Sequence, residues 1–308
     1  MTRRVLYLCT TFPRLSEKFV EREVVALSSE LPLDVRSLWF GGSHPSVEVR
    51  KHHLRSLFRL FYLLPLWMIR NPVGLSRMLG AVLARPPRSF LSAQEIGLGL
   101  GMGILLAEET RKNPAGWIHA VWSTAPATAA WVVHLLTKAR FSFGAHAYDL
   151  FQNGGDPLLK EKIGASDWIR TSTEAGAEEI RRFGTDERKI RLIRRGLDSF
   201  PTPTVPRETE GLLRVLSVGR LVPKKGYPEQ IELFRHLKNT GIAFQATIIG
   251  EGPLRADLQN QIRRADLRNE VRLLGGIPYT GVERELRKAD IFLFTGKITR
   301  DGDRDGEQ

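Results

Sequence analysis

The chain has 308 residues, 42% hydrophobic and 26% charged, with one cysteine and a formal net charge of +12. That length favours two domains, that balance excludes global disorder, and a lone Cys9 excludes an intrachain disulfide and fits a reducing cytoplasm. The excess of cations suggests a polyanionic neighbour, and charge alone does not choose among phosphate-bearing substrates, an anionic membrane surface and nucleic acid.

The N-terminus predicts a strand over Val5–Cys9, a loop over 10–15 and a helix over 16–29 with Ser16 as candidate N-cap. Cys9 lies in the apolar strand and reads as a small buried hydrophobe. Arg3 and Arg4 precede an apolar run too short for a signal peptide, and Thr10, Thr11 and Pro13 end it without a small-residue cleavage pattern. A second strand follows over 33–39.

From about 47 to 111 the periodicity is helical, punctuated at Pro65, Pro72 and Pro86-Pro87, which predicts an insertion of several helices. Its most apolar runs, 60–69 and 96–107, fall short of the roughly 20 residues that cross a bilayer, so no spanning helix is expected. Arg50, Lys51, His52, His53, Arg55, Arg59, Arg70 and Arg77 are interleaved there with Leu57, Phe58, Phe61, Tyr62 and Trp67. Two readings stay open: a basic amphipathic surface, or a core-facing apolar stripe with solvated arginines.

Alternation then resumes, with strands over 117–121, 141–145, 167–171 and 190–193 and helices over 125–136 and 173–183. Pro201, Pro203 and Pro206 among Ser, Thr and Glu make 199–211 the linker candidate between a first domain over 1–198 and a second over 212–308. In the second, strands over 213–218, 244–249, 271–274 and 291–294 alternate with helices over 227–239, 254–265 and 282–288, which implies a parallel sheet with right-handed crossovers. The fold class is α/β, with two Rossmann-like domains.

The most informative stretch is Val218-Gly-Arg-Leu-Val-Pro-Lys-Lys-Gly226, between a strand and a helix. Gly219 lets a ligand approach the backbone, and Arg220 and Lys225 set two cations at the carboxyl end of a sheet, where open α/β folds bind ligands. A diphosphate would fit. Further on, Gly250-Glu251-Gly252-Pro253 joins a strand to a helix and predicts free amides at a positive helix end. A dinucleotide fingerprint is the weaker reading, because Arg255 stands where its third glycine belongs.

These motifs, followed by Val271-Arg-Leu-Leu-Gly-Gly276 and Ala289-Asp-Ile-Phe-Leu293, resemble in order and spacing the retaining GT-B glycosyltransferases of the group 1 or family 4 type. Phe12-Pro-Arg-Leu-Ser-Glu-Lys-Phe-Val20, Phe143-Gly-Ala-His-Ala-Tyr-Asp-Leu-Phe151 and Arg194-Arg-Gly-Leu-Asp198 look like the matching loops of members that build exopolysaccharides such as colanic acid. The resemblance implies two Rossmann-like domains facing across a cleft, a nucleoside-diphosphate sugar donor held mainly by the second, and a glycan or lipid-linked acceptor on the first. It implies no metal and no other cofactor. Arg220 and Lys225 would neutralise the departing diphosphate, the Gly250 to Gly252 turn would lie against it, and the loop after Leu274 would face the base. His146 would lie beside the transferred sugar, the alternative being a structural hydrogen-bonder. Ser16 and Glu17 belong to an acceptor-side loop, Ser16 being equally explained as a helix cap.

One departure stands out. Family members carry two glutamates seven residues apart after the Ala-Asp-Ile-Phe-Leu strand. Here Asp305 aligns with the first, as the second catalytic candidate, and the other has no counterpart. The second domain is therefore expected to be incomplete, and a degenerate, non-catalytic relative is the alternative to an active enzyme. Asp301-Gly-Asp303 also matches an Asp-x-Asp pattern, and Asp301, Asp303, Asp305 and Gly306 match the opening of a calcium loop, against both of which stands a solvated polar loop; a calcium loop needs a helix before it and a carboxylate at its twelfth position, and this one follows a strand and ends at Gln308. Nucleic-acid binding is the least supported reading, since the cations are spread over both halves. The expected location is the cytoplasm, peripheral on the inner face of the plasma membrane.

Overall fold

A computed structural model describes residues 4–196 and 211–305, which form two compact units. The 199–210 part of the linker candidate lies outside the described residues.

The first unit is built on a seven-stranded parallel sheet. Its strands are β1 (Val5–Cys9), β2 (Leu33–Ser37), β3 (Val49–Lys51), β4 (Trp117–Ala120), β5 (Phe141–Gly144), β6 (Trp168–Thr171) and β7 (Ile190–Leu192), in the order β3-β2-β1-β4-β5-β6-β7. The order reverses between β1 and β4, and in open α/β sheets that reversal opens a crevice outside the carboxyl ends of the strands. Helices α1 (Lys18–Glu30), α2 (Leu60–Arg70), α3 (Pro72–Ala84), α4 (Phe90–Lys112), α5 (Ala125–Thr137), α6 (Tyr148–Phe151), α7 (Leu159–Ala165) and α8 (Glu174–Arg182) connect them.

Several expectations are corrected. Ser16 is not a cap: it lies in a 3-10 turn, Leu15–Glu17, and α1 begins at Lys18 with Glu17 in the N-cap position and no capping side chain. Pro65 does not break its helix but sits inside α2, on the exposed side, where solvent can take the carbonyl whose hydrogen bond proline cannot make. Strand β3 and the helices α6 and α7 were not anticipated. The apolar run near 96–107 is part of a 23-residue helix, α4, long and apolar enough by length and composition to cross a membrane. It packs instead along α5, where a side chain at Gly99 would meet Thr128 and Ala125, and one at Gly103 would meet Val132 and Ala129. These glycines let the two backbones approach, so α4 and α5 form the buried layer that α2 and α3 cover with Leu63, Trp67, Leu75 and Met78.

The second unit has four parallel strands in the order β10-β9-β8-β11. They are β8 (Leu213–Val218), β9 (Phe244–Ile249), β10 (Val271–Gly275) and β11 (Ile291–Phe292), connected by α9 (Tyr227–Asn239), α10 (Arg255–Arg264) and α11 (Tyr279–Leu286). Its core gathers Ile231, Phe234, Phe244, Ile248, Leu258 and Leu267 between helices and sheet. Here too the order reverses, between β8 and β11, so the loops after those strands flank one crevice.

Candidate functional site

In the second unit the loops after β8, β9 and β10 are laced by their own backbones. Gly219 N–H donates to Ile249 O at 3.0 Å, Leu221 N–H to Glu251 O at 2.8 Å, and Gly250 N–H to Gly275 O at 2.9 Å. A side chain at Gly250 would overlap the carbonyl of Gly219, so this lacing requires glycine. The Glu251 carboxylate accepts from Gly276 N–H at 3.1 Å and pairs with Arg255 at 3.1 Å, which makes it a clamp between two loops. Leu274, half-buried, lies where the register of β10 against β9 shifts, just before this loop.

At the start of α10 two amides are already taken. Leu254 N–H donates to Leu221 O and Arg255 N–H to Gly252 O, both at 3.1 Å. Glu251 and Gly252 keep amides that donate to nothing among the described residues.

Around this turn stand three cations. Arg220 is exposed and makes no ion pair among the described residues. Lys225 Nζ is 2.5 Å from Asp305 Oδ2 and 5.0 Å from the Phe294 ring centroid. Lys224, the other half of the Lys-Lys doublet and indistinguishable from Lys225 in sequence, is 1% exposed and reaches Asp303 at 2.9 Å and Asp305 at 3.5 Å. A buried ammonium needs such partners. Burial pushes the Asp305 carboxyl up, but the hydrogen bond and charge of Lys225, with the charge of Lys224, outweigh it and hold the group below the usual carboxylate range. Asp305 thus sits on the cations as a counter-charge. Asp301 and Asp303 are tied to Thr299 and Lys224, and no group of His, Cys, Asp or Glu among the described residues is arranged to hold a metal.

In the first unit the predicted residues gather at the carboxyl ends of β1, β4 and β5. Glu17 Oε2 accepts from Trp122 Nε1 at 3.3 Å, and the Trp122 ring stands edge-on to His146 with centroids 5.3 Å apart. Ser16 is exposed and makes no hydrogen bond among the described residues. His146 is buried, with Nδ1 3.4 Å from Ser172 Oγ. Burial, then the charges of Arg195 and Arg170, lower its pKa to about 3, so the imidazole is neutral near pH 7. It lines a polar cavity with Tyr7, Glu23, His119 and Arg170 that has room for about one water and not for a sugar.

What positions His146 is Asp149, from the same motif. Its buried carboxylate accepts from the amides of Ser123 at 3.2 Å, His146 at 3.1 Å and Ala147 at 2.8 Å, fastening the loop after β5 to the loop after β4. Burial pushes its pKa up, and these amides oppose the rise. Nearby, buried Lys162 bonds Asp156 at 2.8 Å and the Ser123 carbonyl at 2.5 Å. Asp149 lies inside the Phe143–Phe151 motif, whereas Trp122 and Lys162 lie outside every motif of the sequence.

Residues 203–298 match the family model described as glycosyl transferases group 1. Among curated proteins the chain is 40% identical over 125 residues to the amylovoran biosynthesis glycosyltransferase AmsK of Erwinia amylovora, covering 40% of this chain and 31% of that one. It is 31% identical over 153 residues to WcaL of Escherichia coli (strain K12), whose name links it to colanic acid biosynthesis, covering 49% of this chain and 37% of that one. The chain therefore spans about a third of the length of these relatives. Among solved structures it resembles WaaG, a glycosyltransferase involved in lipopolysaccharide biosynthesis, with TM-score 0.62 at 13% identity over 95% of this chain and 75% of that one. It likewise resembles Anabaena HepE in complex with UDP and glucose, with TM-score 0.61 at 12% identity over 96% of this chain and 74% of that one. At such identities the likeness speaks for the fold, and the sheet orders agree with it: residues 203–298 match the group 1 glycosyl transferase model, in a chain with the fold of the GT-B glycosyltransferases.

Proposed function

We propose that the protein transfers a sugar, with retention and without a metal, from a nucleoside-diphosphate sugar to a polysaccharide or lipid-linked glycan acceptor in the cytoplasm. The observation that carries this reading is the cluster of Arg220, Lys224 and Lys225 beside the two unbonded amides of Glu251 and Gly252, all outside the carboxyl ends of β8 and β9. As the bond from the anomeric carbon to the β-phosphate oxygen breaks, negative charge grows on the departing diphosphate. Fixed cations and amides at that position stabilise the developing charge more than the ground state. The backbone after β10 then faces the base. The names of AmsK and WcaL, both tied to exopolysaccharide biosynthesis, support the acceptor class.

One observation favours a second reading, a nucleotide binder that does not transfer. Asp303 and Asp305 already neutralise both lysines. Thermal-shift screening against a panel of nucleoside-diphosphate sugars, followed by assay of sugar transfer and donor hydrolysis with the best binder, separates the two. A specific binder raises the melting temperature with its occupancy. Turnover supports the transferase, stabilisation without turnover supports the second reading, and no stabilisation by any donor overturns both.

A further inference from the structure

The helices between β3 and β4 turn one side inward and leave the other bare. In α2, Leu63 and Trp67 join the core while Phe61, Tyr62, Met68 and Ile69, on the opposite side, are exposed, Phe61 at 90% and Ile69 at 82%. In α3, Leu75 and Met78 face inward while Val73, Leu79 and Leu83 are exposed, Leu83 at 82%. Single exposed apolar residues are ordinary, but two consecutive helices with largely apolar outer faces are not. Both readings left open by the sequence therefore hold at once, each on its own side of the same helices.

What fits that face is set by charge. Between Glu48 and Glu95 the chain carries seven arginines and one lysine and no acidic residue. Arg70 and Arg85 borrow carboxylates from elsewhere in the unit, Glu108 and Glu161. Lys51, Arg55 and Arg77 make no ion pair among the described residues and are exposed, and Arg59 has only the Tyr62 hydroxyl, at 3.0 Å. Arg77 rises from the outer face of α3 itself. Next to α2, Lys51, His53, Arg55 and Arg59 line an open groove with Trp39 and Phe40, and no acidic residue lines it. A protein partner or a second copy of this chain would have to bring its own apolar face studded with carboxylates. An anionic bilayer offers hydrocarbon below a plane of phosphates, which is the arrangement these helices present in reverse.

We propose that α2 and α3 lie in the surface of an anionic membrane, with Phe61, Met68, Ile69 and Leu83 at the level of the acyl chains and Lys51, Arg55, Arg59 and Arg77 on the lipid phosphates. This goes beyond the proposed transfer reaction and does not depend on it, since vesicle binding needs no nucleotide sugar.

The test is cosedimentation of the full chain with vesicles of phosphatidylcholine alone and with about 30% phosphatidylglycerol, which gives the surface the negative potential of a charged leaflet. Binding is expected to the anionic vesicles only and to weaken with salt. Each cation near the surface is worth about 1 kcal/mol, or about fivefold in partitioning, so the double variant Arg55→Gln, Arg77→Gln should bind about 25-fold more weakly. Phe61→Ser with Ile69→Ser should lower partitioning at least tenfold while the melting temperature stays unchanged, because both side chains are exposed in the free protein. Equal binding to neutral and anionic vesicles, no binding to either, or dimerisation in solution abolished by the serine variant would each overturn the proposal.

Discussion

Replacing Asp149 with alanine removes the one carboxylate that holds three amides of the first unit's site together. Ser123, His146 and Ala147 all donate to it at 2.8 to 3.2 Å, and the residue is 1% exposed. Each buried donor left without an acceptor costs about 1–3 kcal/mol, and relief of the carboxylate's own burial offsets part of the sum, so Asp149→Ala should destabilise the first unit by roughly 3–5 kcal/mol. Asp149→Asn keeps the oxygen that serves His146 and Ala147 but turns an amide nitrogen toward Ser123, and should lose about 1–2 kcal/mol. All six tryptophans lie between Trp39 and Trp168, so tryptophan fluorescence during urea unfolding reports on this unit alone. An alanine variant within about 0.5 kcal/mol of the parent protein, or an asparagine variant less stable than the alanine one, would refute the clamp.

Two further outcomes follow from the same geometry. His119 and His146 have folded pKa values of about 4 and about 3, both below the usual 6.5, chiefly because they are buried. Their contribution to stability is therefore complete above pH 6.5 and is lost as the pH falls toward those values. From pH 7 to pH 5 the first unit should lose about 3–4 kcal/mol, with His119→Gln cutting that loss by about half. A urea midpoint that is flat over this range would contradict it. In the second unit Asp305 competes with any phosphate for Lys225, so Asp305→Asn should tighten binding of a nucleoside diphosphate by roughly three- to tenfold at low salt. Weaker binding in that variant, read by calorimetry, would instead make Asp305 a residue that orients the lysine.

The second unit was largely legible in the sequence because strand and helix periods alternate there without interruption, and its glycine turns are punctuation that backbone lacing requires, as at Gly250. The fold class followed from the same alternation. Less was legible in the first unit. Strand β3 is three residues with two exposed cations and shows no apolar alternation. Pro65 reads as a stop until the tertiary structure puts it on an outer face, and Ser16 reads as a cap until a 3-10 turn takes its place. Sequence spacing also does not tell which of two adjacent lysines is buried. Lys224 points to Asp303 across 79 positions, a pairing that only the return of the chain after β11 creates. The His146 motif was visible, but the mechanism that fixes it, three amides on Asp149, depends on Ser123 from another loop.

The most direct test of the central claim, that the loops after β8 and β9 bind the donor's diphosphate, is titration calorimetry of UDP, GDP and ADP against the parent protein, Arg220→Ala and Arg235→Ala. Arg220 is exposed beside the turn and unpaired among the described residues, whereas Arg235 is exposed on α9 and pairs with Glu232. One diphosphate should bind the parent protein, Arg220→Ala should bind it at least tenfold more weakly, as expected for a charge-assisted contact worth about 1.5–3 kcal/mol, and Arg235→Ala should be unchanged. Equal affinity across all three proteins, or no binding of any diphosphate to the parent protein, would contradict the account.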